Sequence, residues 1–293
     1  MRLKCPLLLL LFLAGCEGRG RAPATVEGCQ APAILAVLPD NVREASGLAI
    51  SRHHDNLLWI NNDGDARSLF AIDTTGHERG RVRVADADIT DWEDLAASSC
   101  GNATCLYLAD IGDNMRVRET AAIFRVREPD LRDSTTARAE AFRFTYPDGA
   151  QDAEAMFVLP GERVYIITKG RSGPVTVYRY PGPLRNELVT LERVQSLSPG
   201  IVQFPDMVTG AAAAPDGRTI AVRTYAWLQL YHLAGDTLQP LLPQPIDLTP
   251  VREPQGEAVD LRADGSIFLA SEHGLGQKQA PLSRMKCQLD ERP

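Results

Sequence analysis

One short pattern occurs five times along the 293 residues of the chain. Its clearest copy begins at Glu257, passes through a small apolar segment to a turn at 263–265, and continues through a second apolar segment that ends at Glu272 and His273. The other copies repeat this order of polar start, apolar segment, turn and apolar segment with a polar end. The five copies begin at Ser46, Glu93, Glu154, Thr209 and Glu257. Self-similar β units at roughly 50-residue intervals indicate a propeller or a linear array.

Each unit continues with segments that predict further strands. Apolar and polar residues alternate there, with an aromatic residue at one recurring position, as a half-buried strand requires. Third strands are predicted at 68–72, 122–126, 176–180 and 229–233, and fourth strands at 80–84, 139–145, 188–194 and 241–248. The fifth unit has a third strand near 281–287 and then the chain ends, so the segment 33–38 is expected to supply its fourth strand. Residues 29–293 are therefore predicted to form one all-β domain, a five-bladed β-propeller closed by its N-terminal strand.

The 61-residue interval between Glu93 and Glu154 leaves an alternative open. An irregular sixth blade could lie within it, which would make the domain a six-bladed propeller.

The positions of the cysteines are consistent with a five-bladed propeller. Cys100 and Cys105 flank the turn of a predicted hairpin, so they are expected to pair locally. Closing the ring with the N-terminal strand places Cys29 beside Cys287, which predicts a second disulfide. The chain offers no short Cys/His spacing of the kind that zinc sites use.

The first 28 residues have a different character. Arg2 and Lys4 precede an apolar core at 6–14 that is too short to span a bilayer, and Leu13-Ala14-Gly15-Cys16 closes it. This end resembles the lipobox of bacterial lipoproteins. The resemblance implies a signal peptide at 1–15, acylation (diacylglycerol, palmitate) of Cys16, and attachment to the outer membrane or to the periplasmic side of the inner membrane. Residues 16–28 are expected to be a lipidated flexible tether.

Charge narrows the ligands that the domain is expected to bind. The net charge of −7 argues against nucleic acid as a partner, because phosphate binding needs a basic face. In a propeller the first strands line the channel, and the starts of first strands meet the ends of second strands at one mouth. That mouth is therefore expected to be acidic. Carboxylates crowded there favour a hard divalent cation, with Ca²⁺ expected and Mg²⁺ not excluded. The predicted ligands are Glu93, Glu154, Glu257, Asp110 and Asp113. The alternative is a ring of salt bridges without metal.

The same mouth holds basic residues and one histidine. Lys169, Arg171 and Arg223 are candidates for binding a small anionic ligand beside the cation. His273, with Glu272 beside it, is the candidate general base if the protein is an enzyme. No nucleophile elbow, phosphate-binding glycine loop or His-Glu-x-x-His motif occurs in the sequence.

Several phrases resemble exported bacterial propellers of the phytase-like and gluconolactonase-like group. They are Glu44–Leu48, Trp92–Ala96, Ala109–Asn114 and Asp152–Ala155. The resemblance implies calcium at the central mouth, held by Glu93, Glu154 and Glu257, and in some members hydrolysis of phosphate esters or lactones. This chain departs from those enzymes in having five repeats where they have six. Three functions are therefore open: a cation-binding propeller, a metal-dependent hydrolase, and a non-catalytic scaffold for envelope proteins.

Overall fold

The structure, a computed structural model, describes residues 26–63, 67–274 and 279–289. The predicted signal peptide and Cys16, the predicted site of acylation, lie outside these residues. The described residues form strands and a single 3₁₀ turn at Thr249–Val251. None of them forms a helix with the length and apolar character that a membrane span requires.

The strands form five antiparallel blades, numbered here in chain order. Blade 1 contains β2 (Ala45–Ile50), β3 (Leu57–Asn62), β4 (Ser68–Asp73) and β5 (Glu78–Ala85). Blade 2 contains β6 (Trp92–Cys100), β7 (Ala103–Asp110), β8 (Ala121–Arg127) and β10 (Glu140–Thr145). Blade 3 contains β11 (Ala153–Leu159), β12 (Arg163–Thr168), β13 (Thr176–Arg179) and β15 (Glu192–Ser196). Blade 4 contains β16 (Val208–Ala213), β17 (Ile220–Thr224), β18 (Trp227–Ala234) and β19 (Thr237–Pro240). Blade 5 contains β21 (Gln255–Leu261), β22 (Ser266–Glu272), β23 (Pro281–Lys286) and the N-terminal β1 (Ala33–Val37).

The predicted five-bladed propeller is confirmed, and the six-bladed alternative is wrong. The long interval after Glu93 contains no extra blade: β9 (Thr135–Arg138) pairs in parallel with the outer edge of blade 1, and β10 completes blade 2. The first strands contact their neighbours all the way round the ring.

Two predicted fourth strands are shifted. The segment 188–194 divides, because β14 (Val189–Thr190) joins β10 of blade 2 in parallel and only the following β15 belongs to blade 3. In blade 4 the fourth strand comes earlier, at β19, and a short β20 (Ile246–Asp247) pairs with β18. Pro243 and Pro245 lack the backbone N–H that a continuous strand over 241–248 would need.

Apolar packing lies between the blades. Five clusters of buried side chains each join two adjacent blades, including the contact between blade 5 and blade 1. The largest buried side chains include Trp59 and Trp92, which pack in the contact between blades 1 and 2. Both predicted disulfides are present, Cys29–Cys287 and Cys100–Cys105. The first of them ties the N-terminal segment to the end of β23 and so closes the ring.

Candidate functional site: an acidic mouth

Every first strand carries a β-bulge at the same position. In each pairing of first and second strands the register skips one residue of the first strand, which has no partner across the ladder. The five skipped residues are Ser46, Glu93, Glu154, Thr209 and Glu257. These are the residues at which the five sequence repeats begin. A bulge turns a side chain out of the pleated ladder and is common beside active sites, so this fold directs one polar side chain from every blade to one mouth.

Below this ring the channel is closed by Asp94, which is fully buried. Its Oδ2 accepts hydrogen bonds from the backbone N–H groups of Met156 (2.7 Å) and Ala211 (3.2 Å), while Oδ1 accepts one from Leu95 (2.8 Å). The matching positions in the other blades are glycine or alanine, for example Gly47 and Gly210. A Cβ on Gly47 would lie 2.7 Å from the carbonyl carbon of Asp94. Asp94 and the backbone around it therefore close the channel beneath the ring, and we refer to the polar side chains above them as the cup.

The densest group of acids lies on the side of blades 1 and 2. Asp63, Asp91 and Glu93 each offer a carboxylate oxygen, and the three oxygens lie within 4.8 Å of one another. Glu93 is buried, and the two aspartates are half-buried. We refer to these three residues as the acidic cluster. Ca²⁺ binds oxygens at about 2.4 Å, so oxygens on opposite sides of one ion are up to about 4.8 Å apart. The spacing in the acidic cluster therefore suits one such ion.

Burial and mutual repulsion make the ionised form of the carboxyl groups in the cup unfavourable. Burial raises the pKa of Glu93 well above the ordinary glutamate value, and the neighbouring Glu154 and Asp91 raise it further. Burial and the nearby Asp63 raise the pKa of Asp91 to about 6. On the far side, burial raises the pKa of Glu257 well above its ordinary value, and Glu272 adds to the shift. A divalent cation removes this penalty by pairing with the carboxylates.

One buried ammonium group faces the acids. Lys169 Nζ lies 2.7 Å from Glu154 Oε1, and both side chains are almost fully buried. Although burial opposes it, Glu154 raises the pKa of Lys169, which therefore stays charged. Burial still raises the pKa of Glu154 to about 7, an effect that Lys169 reduces. Tyr225 joins this group by donating from its hydroxyl to Glu257 Oε1 at 3.3 Å.

Asp110 and Asp113, predicted as ligands, make other contacts. Asp110 Oδ1 accepts hydrogen bonds from the backbone N–H groups of Thr90 (3.0 Å) and Asp91 (2.7 Å), and Oδ2 pairs with Arg118 at 2.9 Å. Asp113 accepts from the N–H groups of Val117 and Arg118 and so closes a turn. Both are buried, and neither belongs to the acidic cluster. Their assignment as ligands stays a prediction, and the contacts give Asp110 the role of a positioning residue for Asp91.

The predicted anion-binding residues are engaged with protein groups. Arg223 is fully buried: it pairs with Glu253 at 2.7 Å and donates to the carbonyl of Ala258 at 3.0 Å. Arg171 is more exposed and donates to Asp152 Oδ2 and to the carbonyl of Asn114, both at 2.9 Å. Among the described residues these contacts hold each guanidinium in place, and anion binding stays a prediction.

The candidate catalytic pair lies at the same mouth. Glu272 accepts a hydrogen bond from the Gln255 amide and shares a hydrogen bond with Glu257. The backbone N–H of His273 donates to the carbonyl of Arg43 at 2.7 Å, and its ring Nε2 is buried without a hydrogen-bond partner among the described residues. The contact with Glu257 places Glu272 at the mouth, and the catalytic role of both residues stays a prediction.

Two members of the acidic cluster are absent from the ligands predicted from sequence. Asp63 follows β3 directly, so its position at a second-strand end was visible from the repeat. Asp91 precedes the first strand of blade 2 by one residue, outside the repeated pattern. The sequence feature that points to Asp91 is its spacing from Glu93, because residues i and i+2 lie on one side of an extended chain.

Comparisons with known proteins agree on the fold. The PQQ-bound aldose sugar dehydrogenase from Streptomyces coelicolor matches with a TM-score of 0.53 and 12% identity, covering 90% of this chain and 99% of that one. The soluble aldose sugar dehydrogenase from Escherichia coli, in its apo-form, matches with a TM-score of 0.52 and 12% identity, covering 88% of this chain and 99% of that one. A putative oxidoreductase (glucose dehydrogenase) from Thermus thermophilus matches with a TM-score of 0.50 and 11% identity, covering 88% of this chain and 100% of that one. No protein-family model and no curated protein sequence matches the chain. The predicted resemblance to exported propellers is thus confirmed at the level of fold alone.

Proposed function

We propose that this protein is an exported, lipid-anchored propeller that binds one divalent cation, Ca²⁺ in the first instance, at the mouth of its central cup. The observation that carries the proposal is the acidic cluster, in which carboxylate oxygens of Asp63, Asp91 and Glu93 lie within 4.8 Å of one another. All three ligands are oxygens, which hard cations prefer.

Protonation supports the same site. Because the pKa of Glu93 and that of Asp91 are raised by burial and by mutual repulsion, these groups hold protons more tightly than free carboxylic acids do. A bound cation favours the ionised ligands, so binding near neutral pH releases protons. The other side of the cup is already partly neutralised by the pair of Lys169 and Glu154. A cation at the acidic cluster would offset the negative charge of Asp63, Asp91 and Glu93.

The Streptomyces coelicolor protein binds PQQ, and the polar groups of the cup can be compared with what that molecule requires. PQQ is a tricarboxylate, so direct binding needs cationic or hydrogen-bond-donating groups. The described part of the cup instead presents carboxylates, and Lys169 is already paired with Glu154. These residues therefore do not fit direct binding of that group.

Export is supported by the cysteines. Two disulfides, Cys29–Cys287 and Cys100–Cys105, suit an oxidising compartment. The lipobox-like end at Cys16 supplies the anchor in this proposal.

The decisive experiment is thermal unfolding of the full-length protein in detergent, with EDTA and then with excess Ca²⁺ or Mg²⁺. A cation at 100 times its dissociation constant adds about 2.7 kcal/mol to the free energy of unfolding, which raises Tm by at least a few degrees. The double variant Asp91→Asn with Glu93→Gln is expected to lose the shift, and the exposed Glu192→Gln to keep it. An unchanged Tm in the wild-type protein with both ions would refute the cation site and leave the salt-bridge ring as the explanation of the acids.

The same protein separates the two rival functions. A metal-dependent hydrolase would release p-nitrophenol from its phosphate ester, or open gluconolactone, only in the presence of the cation. A scaffold would show neither activity nor a cation-dependent Tm.

A further inference from the structure

The outer edge of blade 5 exposes apolar side chains. This edge is β1, and its residues Ile34, Leu35 and Val37 are 58%, 40% and 44% exposed. Such exposure is unusual, because proteins normally protect edge strands with charge, proline or a covering segment. We refer to these three residues as the β1 patch.

The other blades follow that rule. Strand β9 covers the edge of β5, and β14 covers the edge of β10. The edge strand of blade 3 carries Glu192 and Arg193, and that of blade 4 is short and ends at Pro240. Among the described residues, no strand pairs with the outer edge of β1.

A second protein strand is a poor match for this edge. The pairing of β1 with β23 contains a bulge at Leu35, between Ile34 and Ala36, which breaks the regular spacing of the edge. At its end, Val37 lies against the turn of blade 1, where a Cβ on Gly76 would approach the Val37 carbonyl oxygen to 2.5 Å. The side chains remain accessible while the backbone edge is interrupted. A surface that accepts apolar side chains without matching backbone hydrogen bonds suits the patch better.

The chain enters the fold beside this patch. Val26 is 5% exposed and packs in the contact between blades 4 and 5, and Cys29 is bonded to Cys287 at the end of β23. Cys16 is ten residues before Val26 in the sequence. Even fully extended, ten residues span at most about 35 Å. An acyl anchor at Cys16 therefore holds the side of blade 5 close to the bilayer.

Basic residues border the patch on the neighbouring strand. Arg284 lies opposite Ala33 in the pairing of β1 with β23 and is exposed. Lys286, two residues further, is half-exposed, with Asp264 at 3.3 Å. Positive side chains beside apolar ones suit an interface with anionic lipid headgroups.

We propose that the β1 patch lies on the membrane, with Ile34, Leu35 and Val37 at the boundary between headgroups and acyl chains. It acts as a second, non-covalent attachment beside the predicted acyl anchor. Because β1 is the outermost strand of blade 5 and so lies on the rim of the ring, this contact sets the propeller axis parallel to the bilayer, and the acidic cup opens sideways into the aqueous space.

The test uses full-length protein in vesicles of phosphatidylethanolamine and phosphatidylglycerol, prepared with and without brominated acyl chains, which quench indole fluorescence on contact. The variant Leu35→Trp is expected to lose fluorescence in brominated vesicles. The control is Leu188→Trp, at an apolar residue on the edge of another blade that is more exposed (57%) than Leu35, and it is expected to keep its fluorescence. Unchanged fluorescence of Leu35→Trp, or equal loss in both variants, overturns the proposal.

A second measurement distinguishes membrane binding by the β1 patch from binding by the predicted acyl anchor at Cys16. In full-length Cys16→Ser protein, vesicle co-sedimentation is expected to persist weakly and to fall about tenfold when Ile34→Ser and Val37→Ser are added, since loss of buried apolar area weakens partitioning. Leu188→Ser is expected to leave it unchanged. If Cys16→Ser alone has no effect, acylation is absent and the patch is still tested by the other two variants. A dimer in sedimentation that Ile34→Ser dissociates would assign the patch to a second copy and overturn the membrane contact.

Discussion

The carboxylate of Asp94 accepts a hydrogen bond across the propeller axis from the backbone N–H of Ala211, 117 residues away in the sequence. Together with its bonds to Met156 and Leu95, this contact joins blades 2, 3 and 4 at their centre. Burial raises the pKa of Asp94 well above the ordinary aspartate value, while the three N–H donors favour the ionised form. The side chain is thus a structural link under the cup rather than an additional ligand.

Asp94→Ala is expected to destabilise the fold by about 2–4 kcal/mol, because three buried N–H groups lose their acceptor. Asp94→Asn should cost less, since its single oxygen can still accept from part of the set. Urea unfolding at constant pH measures both. Glu187→Ala, at an exposed residue, serves as the control. Equal stability of Asp94→Ala and wild-type protein would show that the axial link contributes nothing.

Gly112 offers a way to alter the acidic cluster without removing a carboxylate. A Cβ there would lie 2.5 Å from Asp91 Oδ2 and closer still to Glu93 Oε1. Gly112→Ala is therefore expected to displace both groups and to weaken Ca²⁺ binding at least about tenfold, a loss of about 1.4 kcal/mol. Calorimetric titration with Ca²⁺ measures the effect. Gly173→Ala, where a Cβ has open space, should bind as the wild-type protein does; an identical affinity in both variants would move the cation site away from Asp91 and Glu93.

Stability is expected to depend on pH through Asp260. Burial raises its folded-state pKa from 3.8 to about 6, an effect reduced by Arg52 and by hydrogen bonds from the backbone N–H groups of Ile50 and Leu261. The folded state holds the Asp260 proton more tightly than the unfolded chain does. The stabilisation of the folded state that results is therefore fully present below about pH 4 and is lost as the pH rises through about 6. It amounts to about 3 kcal/mol.

The measurement is the difference in unfolding free energy between wild-type protein and Asp260→Asn, taken in EDTA at a series of pH values from 4 to 7. The difference should change across this window and then level off. A difference that stays constant with pH would mean that Asp260 titrates alike in the folded and unfolded chain.

The two disulfides should differ in their contribution to stability. Cys29–Cys287 closes a separation of 258 residues, and Cys100–Cys105 one of 5. The chain-entropy treatment gives about 5.5 kcal/mol for the first and about 2 kcal/mol for the second. Double serine variants of each pair, compared by urea unfolding, test this order. The reverse order would indicate that the ring stays closed without its covalent link.

The repeat was sufficient to predict the blades because each blade buries the same alternating pattern in the same order. The closing strand and the bond between Cys29 and Cys287 followed from the count of strands. The outer strands were less predictable: β14 leaves its own blade to cover another, since an exposed edge attracts any nearby extended segment. Local sequence does not encode which edge will be available.

The site was predicted in outline. Glu93, Glu154 and Glu257 were identified because they begin the repeats, and the structure brings them to one mouth as bulge residues. Asp91 was missed because it lies outside the repeated unit, and its position depends on the carboxylate of Asp110 holding its backbone N–H. The burial of Arg223 was also not visible, because its partner Glu253 comes from the next blade.

The five bulges have an evolutionary consequence. Each blade contributes one side chain to the mouth from a residue that takes no part in strand pairing, so exchanging that residue leaves the ladder intact. Ser46 and Thr209 occupy two of these places with hydroxyl groups, whereas the other three hold glutamate. Exchanges at these five positions change the charge of the cup, to which the non-bulge residues Asp63, Asp91 and Glu272 also contribute. The polar side chains at the mouth can therefore differ between related propellers while the pairing of the strands that carry them is kept.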